Sequence, residues 1–162
     1  MVFVTVGTPT QKFSRLLQAV DHLVDSGFFR GEPVFMQTGS TLGFVPHCSW
    51  TAFVPRAEFE RLVAEASLII SHGGATVLEM VRLGKVPVVM PRRKKYGEHV
   101  NDHQLELVEL LAFEGRVVPA WEPEDLPGAI LDARVRVARP VPRPEIDSLV
   151  EAAIRELSGQ RK

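Results

Sequence analysis

The chain has 162 residues, of which 45% are hydrophobic and 24% are charged, a composition typical of one globular domain with a well-buried core. The formal net charge of −1 gives no general attraction to nucleic acid or to anionic lipid. A single cysteine, Cys48, excludes an internal disulfide, and the N-terminus lacks the charged region of a signal peptide. No apolar run approaches the roughly 18 residues that span a bilayer, so we expect a cytoplasmic protein.

Apolar runs and helical spacings alternate along the chain. Short apolar or β-branched runs predict strands at 2–6, 34–37, 50–54, 68–71, 86–90 and 117–118. Apolar residues at helical spacing predict helices over 13–27, 55–66, 75–83 and 104–113. Several strands are apolar on both faces, which is typical of a parallel sheet with helices on both faces. In such an α/β fold, ligands bind beyond the carboxyl ends of the strands.

The composition changes at Arg139. A proline-rich run from Arg139 to Pro144 prevents regular structure, and apolar residues at helical spacing follow over 146–157. We therefore divide the chain into a ligand-binding domain over 1–138 and a proline-rich linker with an amphipathic helix over 139–162. The spacing is compatible with two positions for this helix, on its own domain or on a partner.

A polar glycine turn follows the fourth strand, with the sequence Ser71-His-Gly-Gly-Ala-Thr76. Its glycine pair lets a ligand approach the backbone, and a helix that starts near Ala75 presents N–H groups and a positive dipole end to a phosphate. Glu79, one turn on, can accept hydrogen bonds from two ribose hydroxyls. Two plainer interpretations stay open: residues 76–79 also fit a capping box, and His72 can be a buried structural histidine.

A second polar loop, Arg92 to Gln104, follows the fifth strand. Its basic run, Arg92 to Lys95, has three interpretations: neutralisation of a diphosphate, contact with a membrane surface or a partner, or a solvated face. Asp102 and Gln104 lie at the predicted start of a helix and can bind sugar hydroxyls, although Asp102 is also a suitable N-cap. The two loops together indicate a phosphorylated, polyhydroxylated ligand.

Other chemistries lack their sequence signatures. No Gly-x-Gly-x-x-Gly follows the first strand, which disfavours an NAD-dependent oxidoreductase. No Asp-x-Asp and no cysteine pair suggests a metal site, and no Gly-x-Ser-x-Gly suggests a serine nucleophile. We therefore expect neither a metal nor a cofactor.

Three segments together resemble the glycosyltransferase family 28 C-terminal domain in a short, free-standing form: Phe3 to Thr8, Ile70 to Thr76 and Pro91 to Gln104. The resemblance covers about residues 1–130. It includes the small subunits of two-subunit bacterial exopolysaccharide glycosyltransferases and, more distantly, the catalytic subunit of the eukaryotic UDP-N-acetylglucosamine transferase of lipid-linked oligosaccharide synthesis. It implies a single Rossmann-like domain equivalent to the C-terminal, donor-binding half of a GT-B glycosyltransferase.

The resemblance also implies the function. The chain would bind a UDP-sugar as donor substrate in a metal-independent, inverting transferase that passes a hexose or N-acetylhexosamine to a lipid-linked saccharide acceptor. A membrane-associated subunit would bind that acceptor, supply the catalytic base and recruit the chain to the inner membrane face. The implied substrate-binding residues are Gly7, Thr8, Gly39, His72, Gly73, Gly74, Ala75, Thr76, Glu79, Arg92, His99, Asp102, His103 and Gln104. The alternative is a non-catalytic nucleotide-sugar-binding accessory subunit that activates another glycosyltransferase.

Overall fold

The computed structural model describes residues 1–41 and 45–136, together with Glu145, Ser148 and Glu151. The strands are Val2–Thr5 (β1), Val34–Gln37 (β2), Ser49–Thr51 (β3), Leu68–His72 (β4), Val88–Met90 (β5) and Val118–Pro119 (β6). The α-helices are Ser14–Asp25 (α1), Arg56–Glu65 (α2), Thr76–Arg82 (α3), His103–Phe113 (α4) and Leu126–Val135 (α5). All strand pairs are parallel, and the strand order is β3-β2-β1-β4-β5-β6.

Helices cover both faces of this sheet because its central strands β1 and β4 are mostly apolar and are buried at every position. In β1, Val2 and Val4 pack with α1 and α5 on one face, whereas Phe3 packs with α2 on the other. In the other half of the sheet, Val89 packs with α3 and α4. The strands therefore have the continuous apolar character of a buried parallel sheet, and the predicted fold class is confirmed.

The predicted elements agree with the structure, with small shifts at their ends. The strand predicted over 50–54 ends at Thr51, and the chain then runs through Phe53 and Val54 to Pro55. The residue before a proline favours an extended backbone, so α2 begins only after this proline. Of the predicted linker and tail over 139–162, only Glu145, Ser148 and Glu151 are among the described residues, so the position of that helix stays a prediction.

One helix, α5, is missing from the sequence-based prediction. Its buried residues Leu126, Ala129, Ile130 and Ala133 do follow the spacing of an amphipathic helix. The adjacent Pro127 and Gly128 resemble a loop, but proline is favoured in the first turn of a helix, where its missing N–H costs no hydrogen bond. The apolar spacing was therefore the better signal.

The strand order places a switch point between β1 and β4. From β1 the chain moves outward to β2 and β3, and it then returns to β4 and moves the other way to β5 and β6. The connections after β1 and β4 therefore lie on opposite faces of the sheet, and a crevice opens between them at the carboxyl edge. Thr5 and Ser71, which are partners in the β1–β4 register, mark the position of this crevice.

Candidate functional site

His72 lies at the centre of this crevice, between two glycines. A Cβ atom on Gly7 would lie 2.4 Å from His72 Cε1, and a Cβ atom on Gly74 would lie 2.4 Å from His72 Nε2. Neither distance is sterically possible, so both positions require glycine for the imidazole to keep its place. Gly7 also has a φ of +72°, a conformation that glycine adopts at little cost. The sequences after β1 and β4 thus meet around one ring.

The imidazole of His72 is neutral near pH 7. Its side chain is buried, and burial lowers its pKa from 6.5 to about 4. The nearby Arg92 guanidinium and His99 add to this effect, whereas a contact with the main chain of Thr5 opposes it. A neutral imidazole donates from one ring nitrogen and accepts at the other, so it can bond a phosphate oxygen without carrying charge.

Other predicted residues lie in the same region. A Cβ atom on Gly39 would lie 2.5 Å from the carbonyl oxygen of Gly7, so the end of β2 also touches this crevice. Gly73 packs against Gln104, whose Cβ would lie 3.1 Å from an added Gly73 Cβ. Thr8 and Ala75 are exposed beside them, and Thr76 is half-buried. The structure therefore brings together the loops after β1, β2, β4 and β5.

Glu79 lies one turn into α3, at the edge of this group. The capping-box interpretation of residues 76–79 is wrong, because α3 begins at Thr76 and has no side-chain cap. The Glu79 carboxylate instead accepts a hydrogen bond through Oε1 from Arg56 Nη1 at 3.0 Å. Both residues line a cavity of about 280 Å³ between α2 and α3, whose floor includes Phe59 and Val63.

Arg92 occupies a different place from the one predicted. It is fully buried, so the solvated-face and surface-contact interpretations are wrong for this residue. Its guanidinium donates to the carbonyl oxygens of Val6 and Gln11, both at 2.8 Å, and of Glu98 at 3.1 Å. Its assignment as a substrate-binding residue is corrected accordingly: the guanidinium binds the main chain of two loops. An arginine can do this because its planar donors diverge toward several acceptors at once.

The rest of the basic run is partly neutralised within the protein. Arg93 Nη1 lies 3.2 Å from Glu122 Oε1, and Lys95 Nζ lies 3.3 Å from the same oxygen. Lys94 is exposed, while its backbone N–H donates to Asp102 Oδ1 at 2.8 Å. Asp102 occupies the N-cap position of α4 but forms no side-chain cap, so capping does not explain this carboxylate.

The remaining polar residues of this loop bond one another. His99 Nδ1 lies 3.0 Å from Asn101 Oδ1, which also accepts from the backbone N–H of His103 at 3.3 Å. His103 Nδ1 lies 3.8 Å from Glu106 Oε2 on the same helix. Among the described residues, no three His, Cys, Asp or Glu side chains cluster as metal ligands do.

Two further residues of this region, Arg15 and Glu98, were not predicted from the sequence. Arg15, in the first turn of α1, donates from Nε and Nη2 to the two carboxylate oxygens of Glu98, each at 2.9 Å. Both side chains are mostly buried. Their 83-residue separation leaves no local signal, although Glu98 lies inside the predicted loop.

The parallel sheet and the glycine-lined crevice at its switch point define a doubly wound, Rossmann-like α/β domain. The model of the glycosyltransferase family 28 C-terminal domain matches residues 1–145, and the chain belongs to this family. Its fold is thus that of the C-terminal half of a GT-B glycosyltransferase. Among the described residues, no helix is long and apolar enough to cross a membrane.

The chain is also similar to the crystal structure of Acinetobacter baumannii MurG, with 20% sequence identity and a TM-score of 0.49. The match covers 92% of this chain and 49% of that one, so the chain spans about half the length of that solved structure. The comparison with curated proteins gave no match.

Proposed function

We propose that this domain binds a UDP-sugar at the carboxyl edge of its sheet and serves as the donor-binding half of a metal-independent glycosyltransferase. Membership in family 28 supports the reaction class. The observation that carries the proposal is the neutral His72 ring held between Gly7 and Gly74, with the polar loop after β5 beside it. This arrangement gives a diphosphate close access to main chain and to an uncharged hydrogen-bonding ring.

The diphosphate would lie over the glycines of the first and fourth strand ends. Gly74 and Ala75 directly precede α3. Among the described residues, the backbone N–H groups of these two donate to no protein acceptor. Main-chain N–H groups and His72 together can bond phosphate oxygens, while Thr8 and Thr76 can add hydroxyl donors. Because the backbone approaches without side chains in the way, this contact depends on the glycines themselves.

The ribose and the sugar would lie on either side of the diphosphate. Arg56 bonds only Oε1 of Glu79, so Oε2 can accept from a ribose hydroxyl while the ion pair holds the carboxylate in place. At the other end, Asp102, His103 and Gln104 begin α4 beside Gly73 and can bond hydroxyls of the donor sugar. His99 and Asn101 complete this polar rim.

The second half of the enzyme would come from a membrane-associated subunit that binds a lipid-linked saccharide. Inverting transfer requires a base within hydrogen-bond reach of the acceptor hydroxyl. We assign that base to the acceptor-binding subunit, as the resemblance implies, and we place this chain at the inner face of the membrane in exopolysaccharide or glycan synthesis. A hexose or an N-acetylhexosamine would be transferred.

Calorimetry tests donor binding. UDP, UDP-glucose and UDP-N-acetylglucosamine are titrated into the wild-type chain and into Glu79→Ala, with Glu109→Ala, an exposed carboxylate on α4, as the matched control. Loss of ribose hydrogen bonds should weaken binding by about 1–3 kcal/mol in Glu79→Ala alone. An absence of heat with all three ligands, repeated with the partner subunit present, would contradict the proposal.

Reconstitution separates a donor site from an accessory role. The chain is combined with its acceptor subunit, a lipid-linked acceptor and radiolabelled UDP-sugar, and incorporation is followed with Glu79→Ala and Gln104→Ala. If the donor binds here, both variants lower incorporation. Incorporation that is unchanged in both variants would show that the chain activates a transferase whose donor site lies elsewhere.

A further inference from the structure

Arg92 joins two loops of the candidate site from inside the protein. These are the β1 loop, residues 6–13, and the β5 loop, residues 91–102. The guanidinium donates to Val6 and Gln11 in the β1 loop and to Glu98 in the β5 loop. It also lies 4.7 Å from the centroid of the Phe13 ring, at the end of the β1 loop. One fully buried side chain thus fixes the distance between the two loops.

A buried ion pair supports the same connection from the other side. Arg15, at the start of α1, is 13% exposed, and Glu98, in the β5 loop, is 6% exposed. Arg15 also donates to the carbonyl oxygen of Pro91 at 3.0 Å, and Glu98 Oε2 accepts from the backbone N–H of Arg93 at 3.0 Å. Removing Arg15 would leave the buried Glu98 carboxylate without this cation, whereas removing Glu98 would leave Arg15 its second carboxylate, Glu122, at 3.1 Å. The loss is therefore larger on the Glu98 side, and the buried pair constrains the loop more strongly than an exposed ion pair does.

The connection also reaches a predicted sugar-binding residue. The backbone N–H of Arg92 donates to Gln104 Oε1 at 3.1 Å, at the start of α4. Gln104 in turn packs against Gly73 in the turn after β4. The position of the Gln104 amide therefore depends on the position of Arg92. Glu79 belongs to a separate set of contacts, because its carboxylate accepts a hydrogen bond from Arg56 on α2.

We propose that Arg92, together with the Arg15–Glu98 ion pair, is a positioning group that holds the β1 loop and the β5 loop at the separation a sugar nucleotide requires. We name these three residues the loop clamp. They act without touching the ligand, because the Arg92 side chain is fully buried and both of its Nη groups donate to carbonyl oxygens of the loops. This inference rests on the proposed function. Preorganised loops raise affinity because binding no longer has to order them.

If the loop clamp has this role, its loss should weaken the binding of some ligands more than others. A UDP-sugar would touch the β1 loop with its diphosphate and the β5 loop with its sugar, whereas uridine would need only the region of Glu79. Arg92→Lys keeps the charge but removes the diverging donors. It should weaken UDP-sugar binding about tenfold or more and leave uridine binding within about twofold of the wild type. Arg61→Lys, in an exposed ion-pair cluster on α2, is the matched control.

Calorimetry with UDP-sugars and NMR titration with uridine give these affinities for the full chain. Equal losses for both ligands, or no loss for either, would overturn the proposal. Arg15→Met, Glu98→Gln and the double variant provide a second test, which holds if Arg92→Lys fails to fold. If the pair acts as one unit, the double variant loses no more UDP-sugar affinity than the worse single variant. Additive losses would contradict a shared role.

Amide exchange in the ligand-free protein distinguishes failure of the loop clamp from failure of the proposed function. Arg92→Lys should exchange faster in the β1 and β5 loops, while β1 and β4 keep the wild-type exchange rates. If the wild type binds no UDP-sugar, the proposed function and the ligand-positioning role are both wrong. The same exchange pattern would then still show that Arg92 holds the β1 loop and the β5 loop together. If exchange in the loops is unchanged, the loop clamp itself is overturned.

Discussion

Gly74 and His72 are so close that a single methyl group would disturb the candidate site. An alanine at position 74 would place Cβ 2.4 Å from His72 Nε2, so the ring or the turn must move. We expect Gly74→Ala to destabilise the fold by about 1–3 kcal/mol through overpacking and to weaken UDP-sugar binding. Urea denaturation and calorimetry measure the two effects.

Gly128→Ala is the control for this substitution. Among the described residues, no atom outside its chain neighbours and the backbone of its own helix lies within 4 Å of an added Cβ at Gly128, which is inside α5. Alanine there should stabilise the protein by about 0.5–1 kcal/mol, because glycine loses more backbone entropy in a helix. Similar effects of the two substitutions would show that contact with His72 is not the cause.

His72 also predicts a dependence of stability on pH. Its pKa is about 4 in the folded protein against 6.5 for the free side chain. Between these values the unfolded chain binds more protons, so the contribution of neutral His72 is complete above pH 6.5 and is lost as the pH falls toward 4. We expect His72→Gln to lose stability less steeply over this range, as measured by urea denaturation at a series of pH values.

His47 provides a control, because its pKa is shifted in the opposite direction to that of His72. Its pKa is raised, chiefly by its hydrogen bond to Asp21, so protonated His47 adds stability at low pH that is lost as the pH rises. His47→Gln should therefore remove a loss of stability that the wild type shows as the pH rises above 6.5, and it should leave the slope below pH 6.5 nearly unchanged. Parallel curves for the wild type and His72→Gln would contradict the assignment of a neutral buried imidazole.

At the scale of elements, the central strand β4 and the edge strand β3 differ in how well their backbone amides are protected from solvent. β4 is flanked by β1 and β5 and is buried along its whole length. β3 is an edge strand of three residues, and its Ser49 and Trp50 are exposed. Local opening of β3 therefore breaks few contacts, whereas opening of β4 requires most of the fold to unfold.

Hydrogen exchange followed by NMR should show this difference. Amides of β4 are expected to exchange only through global unfolding. Amides of β3 should exchange through a local opening that has a much lower free energy. The amides of β1, which is also central, serve as the internal reference. Equal protection of β3 and β4 would contradict the strand order as the source of the difference.

At the scale of the whole molecule, the described part of the chain buries apolar clusters on both faces of its sheet. We therefore expect the chain to fold without a partner and to unfold in one cooperative transition by calorimetry and circular dichroism. A UDP-sugar at one hundred times its Kd should raise the free energy of unfolding by about 2.7 kcal/mol. Several separate transitions, or no change with UDP-sugar, would contradict this expectation.

Much of the fold was predictable because its signals are local. The apolar runs that became β4 and β5 and the glycines that end α1 and α4 lie in short windows of sequence. Alternation of such runs with helices restricts the topology to a parallel sheet, since a helical crossover returns the chain in the same direction. His72 and its glycines could be placed at a carboxyl edge on the same grounds.

The partners of charged side chains were not predictable. The Arg92 guanidinium bonds the carbonyl of Val6, 86 positions earlier, and Glu79 bonds Arg56, 23 positions earlier. The residue types near Arg92 indicate only a basic loop. Whether the Arg92 side chain is buried depends on which other loop the fold places beside it. The sequence by itself determined most of the elements, although not α5, together with the sheet class and the family, because these depend on local apolar patterns and motifs. Only the tertiary structure decided that Arg92 faces inward and Glu79 outward, because long-range packing selects the partners of each charge.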